Sequence, residues 1–298
     1  MNRRRVLALV LLAFIFAAAC SSPAASPSTA GPGALPTASA SVAVTPPAST
    51  SPTALPLARI QGSFDVGDGR QLYLRCLGSG SPTILLEAGD GDSGPAAWRL
   101  VDGELADQTR TCTYDRAGLG QSSEATGCRQ MDDILDDLDA LLAAASVEGP
   151  YLLVGASGGG FLIAGFAARH PDDVAGMVFV ETPKALTAEL YPEVLPEIAC
   201  DAPGNVERRD YLAVEHAAWD DRAELGDFPL TILSNDYGDA AEPDTDEARN
   251  VADQRGWLEL SSGATRQVVV TSGHDIASNE PDLVIDEILA VLGAARAS

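Results

Sequence analysis

The chain has 298 residues, with 43 Asp and Glu against 19 Lys and Arg, and a formal net charge of −24. That balance excludes nucleic acid as a partner, because such binding rests on cationic contacts to phosphate. It also opposes docking on an anionic membrane surface, and otherwise speaks for solubility.

In chain order, Asn2-Arg3-Arg4-Arg5 and the apolar run Val6–Ala19 have the layout of a secretory signal, a basic region ahead of a short hydrophobic one. The run is too short for a permanent membrane helix. It ends Ala17-Ala18-Ala19-Cys20-Ser21-Ser22, and small residues before a cysteine resemble the bacterial lipoprotein signal. On that reading residues 1–20 are a signal peptide with a lipobox-like end, cut ahead of Cys20, which becomes a lipidated N-terminus that anchors the protein to the extracytoplasmic face of the membrane. Ordinary cleavage, with secretion and an odd thiol at Cys20, is the alternative. Arg3-Arg4 also permits twin-arginine export.

Residues 21–56 are almost entirely Ser, Ala, Pro, Thr and Gly without a charge. Such a segment has too little apolar area to offset its ordering entropy, so a disordered tether is expected. Residues 57–298, roughly 240 in number, suit one domain. Of five cysteines, those after Cys20 are even in number, which in an exported chain favours two disulfides with the pairing open.

Arg59–Val66 and Gln71–Cys76 read as a hairpin around Gly67-Asp68-Gly69. Strands are predicted at Thr83–Glu87 and Thr111–Asp115. Met131–Ser146 is an amphipathic helix, with aspartates gathered toward its N-terminus as the helix dipole prefers. Then come strand Tyr151–Val154, a glycine cluster, a helix to Arg169, and strands at Val174–Val180, Leu230–Leu233 and Gln267–Thr271. A helix over about Pro281–Ala295 closes the chain. Strands alternating with helices predict an α/β domain with a mostly parallel sheet covered on both faces. Between Thr182 and Phe228 the alternation fails; helical stretches such as Arg208–Trp219 predict a small cap, about residues 182–228, inserted after the strand ending near Glu181.

Gly155-Ala156-Ser157-Gly158-Gly159 fits Gly-x-Ser-x-Gly. The pattern alone is weak, but here a strand precedes it and a helix follows, the context that exposes a serine hydroxyl on a sharp turn. The rival reading, an anion-binding helix start, lacks the Lys-Ser/Thr ending of a phosphate loop. Two further segments, Leu86-Glu87-Ala88-Gly89-Asp90-Gly91 and Tyr114-Asp115-Arg116-Ala117-Gly118-Leu119-Gly120-Gln121-Ser122, stand in the right order before it. Together these motifs, from about Arg59 to the last helix, resemble the α/β-hydrolase family of serine hydrolases, esterase- and lipase-like.

The resemblance implies Ser157 as nucleophile and a base after the last strand. There are three histidines. His170 lies beyond the helix that follows the elbow and reads as a surface residue; His216 lies in the cap, where packing or substrate contact is expected. His274, in Ser272-Gly273-His274-Asp275, holds the family's position for the base and satisfies the order Ser…acid…His. For the acid, Glu181 at the end of the strand after the nucleophile helix is favoured; Asp236 stays open, with Asp239 a third choice. The resemblance also implies an oxyanion hole from the backbone N–H groups of Gly158 and Asp90, although a carboxylate at Asp90 would repel an oxyanion unless turned away. From the family's strand order it implies disulfides Cys76–Cys112 and Cys128–Cys200. The expected activity is cleavage of a small-molecule carboxylic ester or thioester, without cofactor or metal. A fold-retaining binding lipoprotein with weak or no turnover is the competing expectation.

Overall fold

The computed structural model describes residues 58–186, 195–220, 222–238, 241 and 246–298. The predicted signal, Cys20, the tether and Asp239 lie outside them. The elements run β1 (Arg59–Gly67), β2 (Arg70–Leu77), β3 (Thr83–Glu87), α1 (Gly94–Ala97), α2 (Asp102–Ala106), β4 (Thr111–Tyr114), α3 (Met131–Ala144), β5 (Tyr151–Ala156), α4 (Gly159–Arg169) and β6 (Val174–Val180). They continue α5 (Leu195–Ile198), α6 (Tyr211–Trp219), β7 (Leu230–Asn235), α7 (Asp246–Gln254), a 3₁₀ segment Arg255–Leu260, β8 (Thr265–Val270), α8 (Ile276–Asn279) and α9 (Pro281–Ala295).

The eight strands form one sheet in the order β1-β2-β4-β3-β5-β6-β7-β8. β2 pairs antiparallel with β1 and β4, and the pairs from β4 through β8 are parallel. The central parallel strands are buried along most of their length, and successive residues serve opposite faces. Leu85, Leu153 and Phe179 pack with Leu135 and Leu138 of α3 and Phe161 and Phe166 of α4. Their neighbours Ile84, Leu86, Val154 and Val178 pack on the other face with Trp98, Leu105 and the α9 residues Val284, Ile288 and Val291. Each such side chain contributes about 1.5–3 kcal/mol on burial, so both faces hold the sheet whose upper edge carries the site.

Several boundaries differ from the sequence expectation, for local reasons. The cap helix α6 begins at Tyr211 instead of Arg208: Asp210 is its N-cap, accepting the Ala213 N–H at 3.1 Å, and Arg208 has a φ of 52° that no helix accommodates. α3 stops at Ala144, and Ser146 turns away with φ 53°. β8 spans Thr265–Val270 because its ladder with β7 starts at Leu230↔Thr265. The short helices α1, α2, α5 and α8 carry too few turns to show a periodic signal.

Cys76 and Cys112 face each other across β2 and β4, with Cα atoms 4.0 Å apart, and are joined. A second disulfide, Cys128–Cys200, ties the loop before α3 to the cap beyond α5.

Candidate active site

Ser157 lies between β5 and α4 with φ 49°, in the left-handed region that costs a non-glycine residue about 1–3 kcal/mol. Its N–H donates to Val180 O at 2.8 Å and its carbonyl accepts the Gly160 N–H at 3.0 Å, so the strain is held by hydrogen bonds on both sides. The turn also needs bare backbone nearby. A Cβ at Gly159 would strike the Ala88 carbonyl, and one at Gly160 would strike Thr182. The serine side chain is thereby lifted to the carboxyl edge of the sheet.

His274 follows β8, and its Nε2 lies 3.0 Å from Ser157 Oγ. Its Nδ1 lies 3.9 Å from Glu181 Oε1, too long for a hydrogen bond but within ion-pair range. Glu181, at the end of β6, is buried and firmly oriented. It accepts hydrogen bonds from the Asn235 N–H (2.5 Å), Tyr237 O–H (3.1 Å) and Asn250 Nδ2 (2.8 Å). Asp236 does otherwise. It is exposed, and its carboxylate accepts the Gly238 N–H at 2.8 Å, closing its own turn. Of Glu181 and Asp236, the structure brings Glu181 to His274. The remaining histidines are engaged elsewhere: His170 Nε2 contacts Asp139 at 2.8 Å, while His216 bonds Asp220 and the Leu186 carbonyl.

Opposite Ser157 stands the loop after β3. Among the described residues, the N–H groups of Gly158 and Asp90 have no protein hydrogen-bond acceptor. The Asp90 carboxylate is ion-paired with Arg209. The loop is fixed from beneath by a buried charge cluster. Arg116 pairs with Glu87 and, at 2.6 Å, with Glu207, and donates to the carbonyls of Ala88 (2.8 Å) and Gly89 (2.7 Å). Glu207 also accepts the Gly91 N–H at 2.8 Å. Burial alone would disfavour the Arg116 cation, but the two carboxylates outweigh it and hold it charged. Burial likewise pushes Glu207 up, yet Arg116 wins and keeps it below the ordinary carboxylate range. As a metal site, Cys128, Cys200 and Asp210 are near enough to one another, but the disulfide leaves no thiolate to bind.

A model of the alpha/beta hydrolase fold family matches residues 82–252 of this sequence. The chain belongs to the α/β-hydrolase family. The uncharacterized Bacillus subtilis (strain 168) protein YqjL is 28% identical over 224 residues, 70% of this chain and 82% of YqjL. The 2-hydroxymuconate semialdehyde hydrolase of Pseudomonas sp. (strain CF600) is 31% identical over 117 residues, which are 39% of this chain and 41% of that one. A thermophilic esterase from Thermogutta terrifontis superposes with a TM-score of 0.56 at 20% identity, over 80% of this chain and 99% of its own; this likeness speaks for the fold alone.

Sequence reasoning about this α/β-hydrolase missed the residues that hold the site in place. Asn235 couples Glu181 to the segment of His274, since its N–H binds Glu181 and its Oδ1 accepts the Gly273 N–H at 2.8 Å, one residue before His274. A polar residue ending the strand beside Asp236 was the available signal. Glu207 and Arg209 reach the loop after β3 from the cap, across more than a hundred residues, and no local pattern announces such contacts. Glu215, on α6, accepts the Leu186 N–H at 2.8 Å, and its carboxyl is pushed up to about 7 by burial.

Glu181→Gln should lower kcat of any hydrolytic activity by about 10³–10⁴-fold, while Asp236→Asn should stay within about twofold, as exposed substitutions do; steady-state kinetics that reversed this order would make Asp236 the acid. Glu215 gives a second expectation, in stability. Its folded-state pKa lies above the ordinary 4.5, so the unfolded chain releases the proton first, and folding stability falls as pH rises from about 4.5 to about 7. At about 1.4 kcal/mol per pH unit the penalty is at most about 3.5 kcal/mol. Glu215→Gln should therefore raise Tm relative to wild type at pH 8 and lose that advantage at pH 4.5. Parallel Tm curves over this range would show that Glu215 does not titrate there.

Proposed function

We propose that this α/β-hydrolase is a serine hydrolase that cleaves a carboxylic ester or thioester through an acyl-enzyme. The observation that carries the reading is the 3.0 Å approach of His274 Nε2 to Ser157 Oγ at a strained elbow. A serine hydroxyl becomes a nucleophile at neutral pH only with a base at this distance.

Ser157 Oγ attacks the carbonyl carbon while its proton passes to His274 Nε2. The oxygen that takes up negative charge is received by the N–H groups of Gly158 and Asp90. Glu181 stabilises the imidazolium, its contact with Nδ1 shortening from 3.9 Å as the cation forms; such contacts are often long before substrate binds. The imidazolium then protonates the leaving alkoxide or thiolate. Water, activated by the same imidazole, releases the acid and restores the hydroxyl. The hydrolase named among the relatives supports the reaction class, and the ester bond is our extension of it. The competing reading of an inactive binding protein drew on the Asp90 charge, which Arg209 neutralises, and on the open choice of acid, against which the approach of Glu181 to His274 speaks.

We place the enzyme outside the cytoplasm, held at the membrane by a lipid on Cys20. The basic start, the short apolar run and the small residues before Cys20 support this, as does the pair of disulfides, which persist in oxidising compartments.

The purified protein should react with a fluorophosphonate probe and hydrolyse short p-nitrophenyl esters, and both should vanish in Ser157→Ala. A folded wild type that neither labels nor turns over would sink the esterase reading in favour of a binding protein. In a bacterial host, Cys20→Ser should move the protein from the membrane fraction to the soluble extracytoplasmic fraction; retention of the variant on membranes would remove the lipid anchor.

A further inference from the structure

We propose that Arg209, from the cap, is a positioning residue for the oxyanion hole that acts through Asp90: it neutralises the Asp90 carboxylate and holds that charge from opposing the developing oxyanion. The inference rests on the esterase reading and goes beyond it, since it concerns a residue remote in sequence from every motif of the site.

Three features of the geometry carry it. First, the Asp90 carboxylate lies alongside Gly158, close enough that a Cβ added at Gly158 would overlap it. Gly158 and Asp90 supply the two proposed oxyanion donors, so a full negative charge sits beside the atom that must become negative. Unanswered, that charge would oppose the transition state. Second, Arg209 Nη1 pairs with Asp90 Oδ1, and Nη2 reaches the Gly158 carbonyl at 3.4 Å. One guanidinium thus spans both donor residues. Third, Arg209 cannot serve substrate directly, because its side chain is 0% exposed while that of Asp90 is 32% exposed.

Arg209 is itself held in place. Asn205 bonds its backbone from both sides, accepting the N–H at 3.1 Å and donating to the carbonyl at 2.8 Å. The Tyr211 ring lies 4.9 Å from the guanidinium carbon, where the cation gains from the ring face. The cation therefore acts as a preorganised counter-charge, and the aspartate is tolerated at this point of the loop because of it.

A double-mutant cycle tests the pairing in the full domain, read by p-nitrophenyl ester kinetics and thermal unfolding. Arg209→Met leaves Asp90 uncompensated, and kcat should fall by at least tenfold and up to about a hundredfold, with KM within about twofold, because the ground-state carbonyl carries little charge. Adding Asp90→Asn should restore kcat to within about threefold of the Asp90→Asn single variant, since Arg209 matters here only through the Asp90 charge. That comparison also serves if Arg209→Met alone does not fold, because the double variant buries no unpaired charge. A merely structural Arg209 would lower Tm without this recovery. Full kcat in folded Arg209→Met, or a double variant at least tenfold below Asp90→Asn, would overturn the inference while leaving the esterase reading intact. A wild type without ester turnover would overturn both.

Discussion

The backbone of Ser157, held at φ 49°, is the constraint to which the neighbouring elements conform. A left-handed serine between a strand and a helix is unfavourable by itself. It persists because β6 takes its N–H at Val180 and α4 takes its carbonyl, and because glycines at 159 and 160 let the Ala88 loop and Thr182 come against the backbone. Glu181, also at positive φ (52°), comes directly after the strand that secures Ser157. The strain at Ser157 and the placement of Glu181 are therefore one structural arrangement shared by adjacent parallel strands.

The second determinant is charge in a dry place. Arg116 lies with its two carboxylate partners in the interior, where a lone guanidinium would be costly and a well-satisfied cluster is tolerable. What the cluster provides is position: Arg116 grips two consecutive carbonyls of the loop whose next residue is Asp90, while Glu207 takes the Gly91 N–H on the far side. The motif from Tyr114 to Ser122 is thus an internal brace. Its Asp115 does similar work, accepting the N–H groups of Gly94 (3.1 Å) and Gln121 (2.9 Å).

The parts of this molecule that were legible in sequence are those whose cause is local. The alternation of strands and helices comes from apolar runs broken by Gly, Pro and Asp, and the sheet order agrees with the family resemblance. Ser157 and His274, which the fold brings within 3.0 Å of each other, each sit in a short pattern at a strand end. The choice between Glu181 and Asp236 was not local. It turns on which carboxylate finds a better partner: Asp236 is satisfied two residues away by Gly238, whereas Glu181 is satisfied by Asn235 of the neighbouring strand and by Tyr237 and Asn250 further along the chain. The Asp90–Arg209 pair was illegible for the same reason. The sequence shows an aspartate in an awkward position; only the fold shows the cation that answers it.

The cap's contacts bear on how the site is preorganised. Residues 200–210 are joined to the loop after β3 through Glu207 and Arg209, and to the segment before α3 by the Arg129 and Arg209 backbone bridge and the Cys128–Cys200 disulfide. A segment tied at this many points is a fixed wall of the site. Donors backed by such a wall need little reorganisation when charge develops on the substrate, and this is the condition under which backbone N–H groups stabilise an oxyanion most effectively.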